Sequence, residues 1–185
     1  VGVGRGGKVD CSLAGGGCLA VLGANGAGKT TLFRTLLGAI AAVSGSVHWD
    51  GAAVGALAPA ELAGCAAWVP QNPGAGFDFS VSEYVLLGRL GRVGVLSAPG
   101  QADRDIARDA IADLGIDALR ERRLSQLSGG GRQLAASARA LAPQADTLVL
   151  GEPPADTDPS QQTAGRARYA MPPAPAPRTP FWRTE

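Results

Sequence analysis

Gly23-Ala-Asn-Gly-Ala-Gly-Lys29-Thr30 holds the complete spacing G-x-x-x-x-G-K-[ST], between an apolar run at 18–22 (CLAVL) and a stretch at 29–38 whose apolar residues recur at helical spacing. Strand, glycine loop and helix in that order give the spacing a mechanism. Gly23, Gly26 and Gly28 permit backbone angles that turn successive N–H groups inward, and Ala24, Asn25 and Ala27 complete a loop able to surround an anionic phosphate. Lys29 adds a point charge toward the β- and γ-phosphates, Thr30 offers its hydroxyl to Mg²⁺, and Thr31 continues the first helical turn at the phosphates. The plainer alternative is a glycine-rich turn with no ligand. Against it, Lys8 and Lys29 are the only lysines in the chain, and one of them fills the motif's lysine position.

Outward from the loop, residues 46–49 followed by Asp50-Gly51 predict a strand ending in a tight turn, and 59–64 predict a short helix with proline at its start. A second strand is expected at 66–69. Helices are expected at 81–89 and 101–114, the latter with Ile106, Ala110, Ile111 and Leu114 on one face. A further helix from Ser128 places Leu134, Ala138 and Leu141 on one face, and Pro143 ends it before a strand at 147–150. Strands alternating with helices imply an α/β fold with a largely parallel sheet. Residues 1–162 read as one domain with a helical insertion at about 72–142. From 163 the periodicity stops and five of the thirteen prolines fall at 172–180, so 163–185 is expected to be a disordered tail.

The 17 basic and 16 acidic side chains leave a net charge of +1, which provides no basic field for nucleic acid. No stretch reaches the roughly 18 to 20 apolar residues that span a bilayer, so a membrane role is expected to come through a partner. Cys11, Cys18 and Cys65 are sparse and odd in number, and no charged segment followed by an apolar run opens the chain; small buried packing residues in a reducing, cytoplasmic setting are expected. His48 is the only histidine, which excludes a zinc site built on several imidazoles.

Three more pieces follow the loop in order: Val69-Pro70-Gln71, then Leu127-Ser-Gly-Gly-Gly-Arg-Gln133, then Leu148-Val-Leu-Gly-Glu-Pro153 with Asp158-Pro159. Together with the loop they resemble an ATP-binding cassette (ABC) transporter ATPase over about 19–162. The middle, "SVSEYVLLGRLGRVGVLS", is similar to the branch that powers uptake of iron chelates, haem or cobalamin. The resemblance implies a P-loop NTPase fold, an ABC-type nucleotide-binding domain whose C-terminal part is missing. It implies that Gln71 reaches Mg²⁺ and the attacking water, and that Glu152 is the catalytic glutamate that polarises that water. Thr30 and Gln71 would then be the metal-facing residues. It also implies that Ser128, Gly129 and Gly130 form the signature segment facing the γ-phosphate of an opposing subunit, with Asp158 at the dimer seam. Each residue taken alone has a plainer reading: Gln71 as a loop glutamine, Ser128 as a helix N-cap, Glu152 as a solvated strand end.

The sequence departs from the family pattern at several points. Gly151 stands where the family has the aspartate that anchors a water on Mg²⁺, and Gly131 stands where Gln or Glu is usual, which predicts a less firmly held helix start. No aromatic residue precedes Phe33 to stack an adenine, leaving Trp49 or Trp68 for that task, and no residue matches the family's switch histidine. A truncated or frame-shifted gene end is one expectation for the tail. By resemblance the chain binds ATP and Mg²⁺ and hydrolyses ATP to drive solute import. Its partners would be a second nucleotide-binding subunit, head to tail, and a transmembrane permease, at the inner face of the cell membrane, with Phe77 and Phe79 either facing the permease or packed inside. The alternative is a nucleotide-binding but hydrolysis-deficient cassette; a kinase using the same loop leaves the signature segment unexplained.

Overall fold

Residues 9–17, 19–21, 23–24, 26–69, 78–93 and 97–151 are described by the computed structural model. They fall into two compact units, one holding the described residues up to Gly55 and the other those from Ala56 onward.

In the first unit, helix α1 (Lys29–Leu36) starts from Gly28 and stops at Gly38, whose φ of 71° is the left-handed turn that a helix end favours. The N–H groups of Leu37 and Gly38 satisfy the carbonyls of Phe33 (3.0 Å) and Thr35 (3.1 Å). Leu32 and Thr35 are buried, and the Thr35 hydroxyl donates to the Thr31 carbonyl at 2.9 Å, so its polar atom is satisfied inside the helix. Strands β1 (His48–Trp49) and β2 (Ala52–Ala53) form an antiparallel hairpin, His48 opposite Ala53 and Trp49 opposite Ala52. A two-residue connection needs positive φ at both turn positions, and Asp50 (48°) and Gly51 (83°) supply it. The Trp49 indole N–H donates to the Leu36 carbonyl at 2.9 Å and fastens the hairpin to the end of α1.

The strand expected at 18–22 does not form among the described residues. Leu19, Ala20 and Val21 have irregular backbone, and Leu19 is 48% exposed. An apolar run becomes a strand only when a neighbour takes its backbone hydrogen bonds, and no described strand of this unit lies beside it.

The second unit opens with α2 (Pro59–Cys65), where the Glu61 carboxylate accepts the Ala58 N–H at 2.7 Å and so closes the first turn. Strands β3 (Ala66–Val69) and β4 (Thr147–Leu150) pair in parallel, Ala66 with Thr147 through Val69 with Leu150. Between them run α3 (Val81–Leu86), α4 (Gln101–Asp113) and α5 (Gly129–Leu141). Val69, Val81, Val85 and Ile111 are the largest fully buried side chains of the core they share.

The helix expected at 81–89 is α-helical only to Leu86 and tightens to a 3₁₀ turn at Leu87–Arg89. There Gly88 lies so close to α5 that a Cβ would stand 2.2 Å from the Arg139 carbonyl oxygen. α5 faces the core with Ala135, Ala136 and Ala138, small side chains that permit such an approach. On α4 the expected face is the buried one: Ala110, Ile111 and Leu114 are buried and Ile106 is half-buried, with Ala107 joining them. Cys11 is exposed and Cys65 half-buried, contrary to the expected buried packing. No helix among the described residues is long and apolar enough to cross a membrane.

Candidate functional site

The glycine loop joins no strand among the described residues. Ala27 N–H donates to the Ala24 carbonyl at 3.1 Å, and Gly26 and Gly28 have φ of 81° and 95°. Those angles strain any residue with a Cβ and let consecutive amides point to one side. Gly23 has a different reason to be glycine, since a Cβ there would stand 3.3 Å from that of Ala27. The Lys29 ammonium folds back over the loop and donates to the carbonyls of Gly23 and Ala24, the latter at 3.2 Å. The loop thus wraps its own lysine. Among the described residues no side chain caps α1, whose N-cap is Gly28 and whose first turn carries no acidic residue. First-turn amides without a cap, next to a cation, form a donor set suited to an anion such as phosphate. Thr30 is exposed beside them and Thr31 half-buried; Asn25 lies outside the described residues.

Trp49 does not stand beside the loop. Its indole is fixed at Leu36, the far end of α1, about 12 Å along an eight-residue helix. Trp68 lies on β3 in the other unit.

The second unit carries the remaining described candidates. Ser128 caps α5, its hydroxyl accepting the Gly131 N–H at 3.2 Å. Gly131 is less loosely held than its composition suggests, because Arg132 donates to the Leu127 carbonyl at 2.7 Å and braces the same turn. A Cβ at 131 would meet the Leu127 Cβ at 3.3 Å, so a larger residue there requires a small shift. Gly129 is exposed with open space around it, and Gly130 follows it half-buried.

The parallel register brings the ends of β3 and β4 to one edge. Gly151 N–H donates to the Val69 carbonyl at 2.8 Å and extends the pairing one residue past β4. Gln71, two residues after Val69, and Glu152, one after Gly151, lie outside the described residues, as do Asp158 and Phe77. Phe79 is described and packs partly buried against the core.

Two arginines that sequence reasoning passed over hold the far end of α5. Arg89 pairs with Asp103 at 2.9 Å and donates to the Ala142 carbonyl at 2.9 Å, and Arg92 donates to the Pro143 carbonyl at 3.0 Å. A cation at a helix C-terminus satisfies carbonyls that lack intrahelical partners and complements the dipole. The Arg89 guanidinium, followed by the Gly100 N–H, holds the Asp103 carboxyl below the ordinary carboxylate range. The sequence signal was an arginine at each of positions 89 and 92 in an otherwise apolar turn.

The chain is similar to known proteins over most of its length. The ABC transporter family model matches residues 7–155. An uncharacterized ABC transporter ATP-binding protein of Haemophilus influenzae is 41% identical over 138 residues, 75% of this chain and 52% of that protein. A hemin import ATP-binding protein of Gloeobacter violaceus is 41% identical over 162 residues, 84% of this chain and 58% of that protein. Among solved structures, an inward-facing ABC transporter of the metal-chelate type is similar with a TM-score of 0.66 at 32% identity, covering 80% of this chain and 54% of that one. The chain thus spans between half and three-fifths of the length of these relatives.

Proposed function

The chain belongs to the ABC transporter family and has the fold of its nucleotide-binding domains, and from that premise we propose that it is the ATP-binding subunit of an importer, hydrolysing ATP to drive a solute through a separate membrane permease. The observation that carries this reading is the loop, where two left-handed glycines, an uncapped helix start and a lysine converge.

The residues fit a nucleotide phosphate. On binding, Lys29 would exchange its two loop carbonyls for phosphate oxygens, which costs little because those carbonyls are exposed to water. The amides of the first turn of α1 would fix the phosphate's position, and Thr30 would hold Mg²⁺ through its hydroxyl. When bound, the metal offsets charge on the phosphate oxygens. Gln71 and Glu152 follow the adjacent ends of β3 and β4 in sequence, which suits them to orienting one water, Glu152 as the base. Ser128, Gly129 and Gly130 would complete the site of a second subunit arranged head to tail, with Asp158 at the seam. The helices between β3 and β4 form the insertion that bears this signature. The proposed solute is a chelated iron, haem or cobalamin; relatives named for hemin and chelated-iron transport support the first two, beside others named for manganese and zinc transport. The chain would act on the cytoplasmic face of the membrane against its permease.

Gly151 favours a second reading, a cassette that binds ATP without useful turnover, since a glycine side chain accepts no hydrogen bond from a metal-bound water. Single-turnover hydrolysis measured beside equilibrium MgATP binding separates the two. Phosphate release that Glu152→Gln abolishes supports the importer ATPase; tight binding with no release supports the second reading.

A further inference from the structure

α5 begins with Gly129, Gly130 and Gly131, and glycine restricts the helical backbone less than any other residue. The direction of its first turn therefore depends on what holds the residues just before it. In this structure they are held by the segment that enters α3. The Arg123 guanidinium donates to the Asp78 carbonyl and lies 3.8 Å from the Asp78 carboxylate, whose other oxygen accepts the Ser125 N–H at 3.3 Å. Backbone bonds continue the seam: Leu124 N–H to the Phe79 carbonyl at 2.9 Å, Val81 N–H to Arg122 at 3.0 Å, and Ser82 N–H to Arg120 at 3.0 Å. From Arg123 a 3₁₀ turn (Leu124–Gln126) leads through Leu127 straight to Ser128. Asp78 thus uses both its carbonyl and its carboxylate on residues 123 and 125, within five positions of the signature serine.

We propose that Asp78 and Arg123 are positioning residues, a tie that aims Ser128 and the first turn of α5 at the phosphate held by an opposing subunit; this rests on the signature reading given above. The tie is not a major source of fold stability. Its side chains are 50% and 58% exposed, and exposed ion pairs contribute little to folding. α3 has its own lock in any case, with Ser80 accepting the Glu83 N–H at 3.2 Å and Glu83 accepting the Ser80 N–H at 2.8 Å. What the tie fixes is direction, and a misaimed donor group of about 1 Å is enough to cost on the order of 100-fold in a positioned reaction.

The test compares Arg123→Ala and Asp78→Ala with the parent chain by amide hydrogen exchange, thermal melting, MgATP affinity, and ATP-driven dimerisation in a Glu152→Gln background. Exchange at residues 124–132 should rise about fivefold while 135–141 stays unchanged, because only the entry to α5 is loosened. Melting temperature and MgATP affinity should hold, and dimerisation should weaken about tenfold. Unaltered exchange at 124–132 in both variants overturns the tie, whatever the oligomeric state. Faster exchange with dimerisation at parent strength overturns its role in aiming Ser128. Ser128→Arg is the control for the underlying reading: if it leaves dimerisation intact, or the parent does not dimerise, the signature reading itself fails and the exchange result still decides the tie.

Discussion

Replacing Gly88 by alanine tests the packing that holds α5 in place. The new Cβ would stand 2.2 Å from the Arg139 carbonyl oxygen and 3.2 Å from the Ala142 Cβ. Real Cβ atoms do not approach a backbone oxygen within about 3 Å, so the 3₁₀ turn and α5 must separate by nearly 1 Å. Overpacking of this kind costs about 1–3 kcal/mol. Arg89, 2.9 Å from both Asp103 and the Ala142 carbonyl, would have its bond to that carbonyl stretched by the same movement, with a loss of about 1–2 kcal/mol. Restricting the unfolded chain returns about 0.4–1 kcal/mol. The expected net destabilisation is about 2–4 kcal/mol, read by urea denaturation followed by circular dichroism. An unchanged or raised midpoint would refute the close approach of the turn to α5. Gly129→Ala, with open space at its Cβ, is the matched control and should not destabilise.

Acid sensitivity follows from Asp103 and Glu83, whose carboxyls the Arg89 guanidinium and the Ser80 N–H respectively hold below their ordinary values. A lowered folded-state value means that their contribution is complete above the ordinary carboxylate range near pH 4 and is lost as pH falls through the lowered values. Thermal melts from pH 6 to pH 2.5 should therefore decline at the acid end, and Asp103→Asn should flatten that decline. A slope identical to that of the parent counts against the Arg89 pairing. At the nucleotide site, Gly151→Asp should raise Mg²⁺-dependent phosphate release by about 10-fold to 100-fold, and adding Glu152→Gln should remove the gain. Equal rates for the parent and Gly151→Asp, or an active double variant, refute the division of work between positions 151 and 152.

The elements legible in the sequence were those whose signals are local. Pro59, Ser128 and the Asp50-Gly51 turn each carry their own hydrogen-bonding or backbone logic, and β3 at Ala66–Val69 and β4 at Thr147–Leu150 lie at the expected residues. Features that failed to show depend on what a distant segment supplies. The 18–22 run has strand composition, but pairing is a property of its neighbours. The end of the α-helix at Leu86 is dictated by α5, fifty residues away in sequence, through the approach at Gly88. Gly131 was legible only as a weak helix former; Arg132, which braces that turn by reaching back to Leu127, works through a side-chain conformation that composition does not disclose. Within the loop, the left-handed angles at Gly26 and Gly28 follow from the motif, whereas the lysine folding onto the loop's own carbonyls is a feature of the folded chain alone.

Calorimetric titration of the 185-residue chain with MgATP, wild type beside Lys29→Ala, tests the central claim most directly. Lys29 is the loop's one side-chain cation, and its replacement should leave the left-handed angles at Gly26 and Gly28 in place, since glycine adopts them without support from a side chain. Wild type should bind MgATP, and Lys29→Ala should weaken binding at least about tenfold, roughly 1.4 kcal/mol, with no change in melting temperature of the free chain. Equal affinities for the two proteins would contradict the assignment of residues 23–31 as the phosphate site.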